Sequence, residues 1–232
     1  MISIADRIDH TLLKSEATRP QLHQLVAEAI EHRFAAVCVN GCFVADVAKA
    51  LHGTGVKTCA VVGFPLGASK GTVKTIEATA AAKDGADEVD FVAHLPPLLA
   101  CQTEVSKFQF IEIVKAVRSV NPRIVIKVII ESALMLSAES AAQGEERIES
   151  ACQAARESGC DFVKTSTGFH PSGGASCLAV QLMKKHSGGL YVKASGGIRT
   201  YDQAMQLLDA GADRLGCSNS TVLIDEVNDQ VT

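Results

Sequence analysis

A short phrase recurs along this chain, and it limits the fold more than any other feature. Gly85-Ala86-Asp87 leads into Glu88-Val89-Asp90-Phe91-Val92, Gly159-Cys160-Asp161 into Phe162-Val163-Lys164, and Gly211-Ala212-Asp213 into Arg214-Leu215-Gly216. Each reads as a glycine closing a helix, a tight turn, and a strand entering a core. The intervals are 74 residues (85 to 159) and 52 (159 to 211), each suited to two strand–helix units rather than one. At 29 residues per unit, a chain of 232 residues holds eight.

Strand-like runs agree with that count, falling at 8–11, 36–39, 58–63, 88–93, 124–130, 162–165, 190–194 and 214–217. Helical stripes lie between them. Leu22, Leu25, Val26, Ala29 and Ile30 share one helical face behind a Thr18-x-x-Gln21 capping box. Phe110, Ile111, Val114 and Val117 precede a stop at Asn121-Pro122, Ile148, Ala151, Cys152 and Ala155 form a third stripe, and Thr200-x-x-Gln203 caps a fourth helix. The run Val125-Ile126-Lys127-Val128-Ile129-Ile130 is apolar on both faces, as a buried parallel strand requires. Strict alternation predicts a parallel sheet, and eight units predict a single-domain (β/α)8 TIM barrel over 1–232, with a doubly wound open sheet as the alternative.

Composition excludes several classes. With 47% hydrophobic and 21% charged residues the chain is an ordinary globular one, not a disordered one. A net charge of −4 without a Lys/Arg run argues against nucleic acid as a partner. No apolar run approaches the ~18 residues of a membrane span. Asp6, Arg7, Asp9 and His10 at the start leave no signal-peptide core, so a cytoplasmic location is expected. Eight scattered cysteines without a CxxC pair read as free, buried thiols of a reducing compartment rather than a disulfide framework. Seven histidines without HxH or HExxH spacing give no metal motif. No interface patch is legible; a homo-oligomer such as a dimer stays open.

The informative residues are charges inside apolar strands: Asp90, Lys127, Lys164 and Lys193, on strands four to seven. A buried ammonium costs several kcal/mol unless paired. One buried lysine reads as a structural ion pair; three lysines and an aspartate on neighbouring strands read as a polar cluster. Lys164 and Lys193 stand at the carboxyl ends of their strands, where barrel active sites form. A lysine with a pKa of about 10.4 is protonated and not a nucleophile at neutral pH. A second cation nearby and partial desolvation favour the free amine, which attacks carbonyls. The resulting iminium draws electrons from adjacent carbons, as aldol cleavage needs. Glycine-bearing loops follow strands six, seven and eight: Gly168, Ser195-Gly196-Gly197 and Gly216-Cys217-Ser218. Backbone N–H groups there, with a helix expected to begin at Ser218, form a phosphate cradle. The Gly63-Phe64-Pro65-Leu66-Gly67 turn reads as a rigid turn.

These motifs resemble the deoxyribose-phosphate aldolases. The likeness runs through Asp9-His10-Thr11-Leu12-Leu13-Lys14, Val37-Cys38-Val39-Asn40, Val62-Gly63-Phe64-Pro65-Leu66-Gly67, Gly85 to Asp90, Lys127-Val128-Ile129-Ile130-Glu131, Val163 to Phe169 and Val192 to Thr200. The resemblance implies a (β/α)8 barrel that cleaves 2-deoxy-D-ribose 5-phosphate reversibly to glyceraldehyde 3-phosphate and acetaldehyde without a cofactor or metal, in deoxynucleoside breakdown. It implies Lys164 as the Schiff-base nucleophile, Lys193 as the lysine that keeps it neutral, and Asp90 as the acid/base group. It implies Thr167 as a contact to the sugar hydroxyl, and Gly168, Gly196, Gly197, Gly216 and Ser218 as the phosphate cradle. Lys127 matches a buried supporting lysine, grouped with the substrate contacts and expected to pair with Asp90. Gly41 after Asn40, His94 after Phe91-Val92-Ala93, Phe169, and a tail Asn228-Asp229-Gln230-Val231-Thr232 without tyrosine depart from the family pattern. Two other readings use the same residues: a phosphosugar isomerase or synthase with lysine as a non-covalent acid, and a phosphometabolite-binding barrel with a decayed site. Lys164, Lys193 and Asp90, all present, count against decay.

Overall fold

Strands that are apolar on both faces must be covered on both, and this chain covers them by closing its sheet into a tube ringed by helices. The computed structural model describes residues 4–229, with side chains to residue 224. Eight parallel strands pair in sequence order and back onto the first: β1 (Ile8–Leu12), β2 (Ala36–Val39), β3 (Lys57–Val62), β4 (Glu88–Val92), β5 (Val125–Ile129), β6 (Phe162–Lys164), β7 (Tyr191–Ser195) and β8 (Arg214–Cys217). The closing register pairs Ile8 with Leu215 and His10 with Cys217. The (β/α)8 barrel expected from the recurring phrase is therefore the fold, and the open-sheet alternative is excluded by the β1–β8 pairing.

Among the described residues ten α-helices connect or flank the strands: α1 (Arg19–His32), α2 (Val44–Leu51), α3 (Gly71–Lys83), α4 (Leu95–Leu99), α5 (Thr103–Val120), α6 (Ser132–Leu136), α7 (Ala141–Ser158), α8 (Cys177–His186), α9 (Tyr201–Asp209) and α10 (Ser220–Asp229). Both capping boxes form, at Thr18/Gln21 and Thr200/Gln203. Gly159 ends α7 in the left-handed region at φ 84°, where its N–H reaches back to Ala155 and Arg156 carbonyls, the close that the phrase implies. Two short helices, α4 and α6, sit in the loops after β4 and β5 and were not expected. The helix expected at Ser218 begins at Ser220 instead. Ser220 Oγ is bonded to the Cys217 carbonyl (3.2 Å) and to His10 Nδ1 (3.0 Å), which holds the chain in a turn through Ser218 and Asn219 first.

The main apolar core lies between sheet and helices; a smaller cluster of Ala36, Cys38, Cys59 and Val61 fills part of the barrel interior, with Leu13 and Phe64 packed on it. All eight cysteines are free. Five are buried, but Cys42 is exposed and Cys101 and Cys177 are partly so, which corrects the expectation of buried thiols at these three loop and helix-end positions. Among the described residues no helix is long and apolar enough to cross a membrane.

Candidate active site

Side chains alternate in direction along a strand, so every second residue points into the barrel. Seven of those inward positions are charged. Asp90 is the hub. Its Oδ1 accepts from Lys127 Nζ (2.7 Å) and the Cys59 thiol (3.2 Å); its Oδ2 accepts from both Lys164 Nζ (2.8 Å) and Lys193 Nζ (2.7 Å). The strand register brings the two lysines together, since Lys164 and Lys193 are direct partners across β6 and β7.

Following the contacts outward closes a ring. Lys127 donates to Glu88 Oε2 at 2.5 Å, Arg214 spans Glu88 Oε1 (3.5 Å) and Asp9 Oδ1 (2.6 Å), and Asp9 Oδ2 bonds Lys193, which returns to Asp90. Three carboxylates and three cations thus alternate around the interior. Lys164 is a fourth cation-forming group, attached to the ring among the described residues through Asp90 Oδ2 alone. Asp9, Asp90, Lys127 and Lys193 are wholly shielded from solvent.

Burial and charge oppose each other at each member. Burial acts to strip Lys193 of its proton, but Asp9 and Asp90 outweigh it and hold the ammonium above the ordinary lysine range. Lys127 behaves alike: burial is outweighed by Asp90, Glu88 and Asp9. Burial pushes Asp90 up, yet Lys127, Lys164 and Lys193 bring it well below the usual carboxylate range. Asp9, against the same burial, is lowered to about 2 by Lys193, Lys127 and Arg214. Asp9, Asp90, Lys127 and Lys193 are thus held in their charged forms by one another. At one of the two thiol–carboxylate groups inside the barrel, Asp9, Cys59 and Glu88, whose donor atoms lie within 4.8 Å of one another, Lys127 Nζ takes the ground a metal would need, 3.5 Å from Cys59 Sγ, 2.5 Å from Glu88 and 3.9 Å from Asp9.

Above the ring, at the carboxyl ends of the strands, opens a cavity of about 850 Å3. Lys164, Thr167, Gly168, Gly196, Gly197, Gly216 and Ser218 all line it. Lys193, Asp90 and Lys127 do not; they lie in the layer below, so Lys127 is set apart from the wall on which a substrate would rest. A second cavity of about 310 Å3 opens at the opposite ends of β3 to β5, between Lys57, Glu88 and Val125, the end of a barrel that serves stability rather than chemistry.

The glycines of the loops let backbone approach backbone. Gly196 has φ +90°, and a Cβ there would sit 2.7 Å from Ser166 Oγ and 3.0 Å from Gly168 Cα. Gly196 also accepts from Ala175 N–H at 3.0 Å, so a loop the sequence did not single out, 173–175, closes against the cradle. Ser166 Oγ donates to the Ser195 carbonyl and Ser195 Oγ to the Ser166 carbonyl, both at 2.6 Å, zipping the ends of β6 and β7.

Glu131 closes the Lys127–Glu131 motif, and nothing in that motif marks a role for it. It is 1% exposed with φ 53°, a left-handed conformation that costs a non-glycine residue energy, and its Oε1 accepts the Thr167 N–H at 2.9 Å. Asp9, Glu88 and Arg214 were likewise missed as members of a site. Their one signal in the sequence is a charge at alternate positions of a strand. Of the tail, Gln230, Val231 and Thr232 lie outside the described residues.

The sequence matches the model of the DeoC/LacD family aldolases over residues 4–219. It is 44% identical over 227 residues to the deoxyribose-phosphate aldolase of Caldanaerobacter subterraneus subsp. tengcongensis, covering 97% of this chain and 94% of that one. The Streptococcus suis enzyme of the same name is 42% identical over 219 residues, 94% of each chain. Among solved structures, the tetrameric deoxyribose phosphate aldolase from Aeropyrum pernix superposes with a TM-score of 0.86 at 32% identity, over 98% of this chain and 92% of its own.

Proposed function

The chain belongs to the DeoC/LacD family of aldolases, and on that premise we propose that it cleaves 2-deoxy-D-ribose 5-phosphate, reversibly, to glyceraldehyde 3-phosphate and acetaldehyde through a Schiff base on Lys164, the whole chain acting as one catalytic domain. The observation that carries this reading is the count of charges. Asp9, Glu88 and Asp90 are balanced by Lys127, Lys193 and Arg214 without Lys164. A proton on Lys164 would therefore be a surplus positive charge beside a balanced ring, and of the buried lysines clustered on Asp90 the one that reaches the cavity is the one the ring does not need as a cation.

The neutral Lys164 amine attacks C1 of the open-chain sugar, and loss of water from the carbinolamine leaves an iminium. A base takes the proton of the C3 hydroxyl; the C2–C3 electron pair moves into the enamine, and glyceraldehyde 3-phosphate departs with a new C3 aldehyde. Protonation of the enamine at C2 and hydrolysis of the iminium release acetaldehyde and restore the amine. Asp90 and Lys193, both bonded around one carboxylate oxygen beside the amine, are the groups that move these protons. Thr167 receives a sugar hydroxyl. The backbone of Gly168, Gly196, Gly197 and Gly216, with Ser218, takes the phosphate.

Borohydride reduction in the presence of acetaldehyde tests the assignment: an ethyl adduct is expected on Lys164 and nowhere else. Sugar-phosphate cleavage without any adduct would favour non-covalent chemistry, and a Lys164→Ala protein that still cleaved would overturn the nucleophile. The same reading takes the chain as a cytoplasmic protein and a homo-oligomer such as a dimer. It is supported by apolar side chains left open on the neighbouring helices α3 and α5, Ile76 (71% exposed) and Phe108 (67%), and is checked by sedimentation.

A further inference from the structure

Among the described residues Lys74 is the one strongly buried lysine apart from Lys127, Lys193 and Lys164. It is 2% exposed on α3, and among the described residues no carboxylate lies within ion-pair distance of its ammonium. Burial lowers its pKa to about 8, with Glu77 opposing. A chain that needed only packing at this position would use Met or Leu. Instead Nζ donates to two backbone carbonyls, Gly67 (3.1 Å) and Val92 (2.9 Å). Val92 follows Asp90 on β4 by two residues. One helical turn on, Glu77 Oε2 accepts the N–H of Gly63 at 2.8 Å, so the two residues grip both ends of the 63–67 turn from one helix face. The turn itself is closed by Gly67 N–H to the Gly63 carbonyl at 2.7 Å. Gly67 at φ +65° sits so close to β4 that a Cβ would lie 2.2 Å from the Ala93 carbonyl oxygen.

What this turn carries is Phe64. Its ring meets Phe169 edge-on at 5.2 Å, and below it packs on the Cys38–Cys59 cluster, whose Cys59 thiol bonds Asp90. Phe169 lines the cavity together with Lys164.

We propose that Lys74 and Glu77 are positioning residues for the aldol reaction: they pin the 63–67 turn to the end of β4 and thereby hold Phe64 against Phe169 as an apolar wall beside the Asp90–Lys164 pair. The wall keeps bulk water off the amine and the iminium. The inference rests on the Schiff-base reading above, and it gives the Gly63–Gly67 turn a task beyond rigidity.

Hydrogen exchange and steady-state kinetics test it together. In Lys74→Met, amide exchange across 63–67 is expected to quicken at least tenfold while peptides of β6 to β8 stay as in the wild type. Turnover of deoxyribose 5-phosphate falls at least tenfold, with KM within threefold because the phosphate loops are untouched. Glu77→Gln keeps an acceptor for Gly63 and retains turnover within threefold; Glu77→Ala follows Lys74→Met. If Lys74→Met does not fold, the Glu77 pair decides the matter. Unchanged exchange in the variants would refute the clamp, and faster exchange with unchanged kcat would reduce it to a structural device. A wild-type chain that traps no acetaldehyde would remove the aldol role itself, while the exchange data would still report whether Lys74 and Glu77 hold the turn.

Discussion

Replacing Lys193 by Met removes one cation and keeps the length and apolar stem of the side chain. Lys164 and Lys193 donate to the same oxygen of Asp90, which sets the two nitrogens roughly 4–5 Å apart. At that separation and an effective dielectric of about 20, two unit charges repel by about 3.5–4 kcal/mol. Divided by ~1.36 kcal/mol per pH unit, this amounts to between two and three pH units in the ease of protonating the amine. The rate of reductive trapping of acetaldehyde at Lys164, followed by mass spectrometry across pH 6 to 10, reads this out without requiring proton transfer by Lys193. The acid limb of the wild-type profile is expected to move alkaline by two to three units in Lys193→Met, so trapping at pH 7 slows by two to three orders of magnitude. Lys193→Arg keeps the charge and keeps the limb within about one unit. The variant also leaves Asp9 and Asp90 short of a partner, at a cost of about 3–5 kcal/mol, so a circular-dichroism melt must first establish that it is folded. A folded Lys193→Met with a limb within half a unit of the wild type would refute electrostatic control of the nucleophile.

Lys127→Met strands Glu88 and Asp90 in the interior and is expected to lower unfolding free energy by about 3–5 kcal/mol in urea titrations; a loss under about 1 kcal/mol would show that the pair does not depend on this cation. Asp9, lowered from 3.8 to about 2, stabilises the fold above pH 4, and that contribution of roughly 2 kcal/mol is lost as pH falls from 4 to 2. The stability gap between wild type and Asp9→Asn should therefore narrow by that amount between pH 7 and pH 2, and a gap indifferent to pH would assign the effect to something other than the charge. Glu131→Ala frees the Thr167 N–H and is expected to raise KM for the sugar phosphate about tenfold (~1.4 kcal/mol), whereas Glu131→Gln, which keeps an acceptor, stays within about threefold; equal kinetics in both would remove the link to Thr167.

The barrel was legible because its signals are local. A glycine in the left-handed region, two Thr-x-x-Gln boxes and doubly apolar strands each depend on a few adjacent residues. The helices α4 and α6 were not, since five residues are too few to display an amphipathic period, and Leu95-Pro96-Pro97-Leu98-Leu99 carries the prolines of a loop. Lys127, Lys164, Lys193 and Asp90 stood out as charges among Val and Ile. Glu88 and Arg214 did not, because each opens its strand, where charge is ordinarily solvated, and only the closure of the tube shields them. Arg214 and Asp9 meet across 205 residues of chain. That contact is a product of topology and has no trace in local pattern. The turn at 63–67 was visible as a shape, but its anchor is a lysine on α3 that sequence alone would place at the surface.

The six-membered alternation of charge around Asp90 divides the interior into scaffolding and tool. Natural active sites often sacrifice robustness to reactivity. Here the two demands fall on different atoms: Asp90 and its five companions are the keystones, and the lone pendant amine is the member that folding would sooner do without. Deleting the nucleophile should thus leave a sturdier barrel, while neutralising its neighbour at position 90 should leave a ruin.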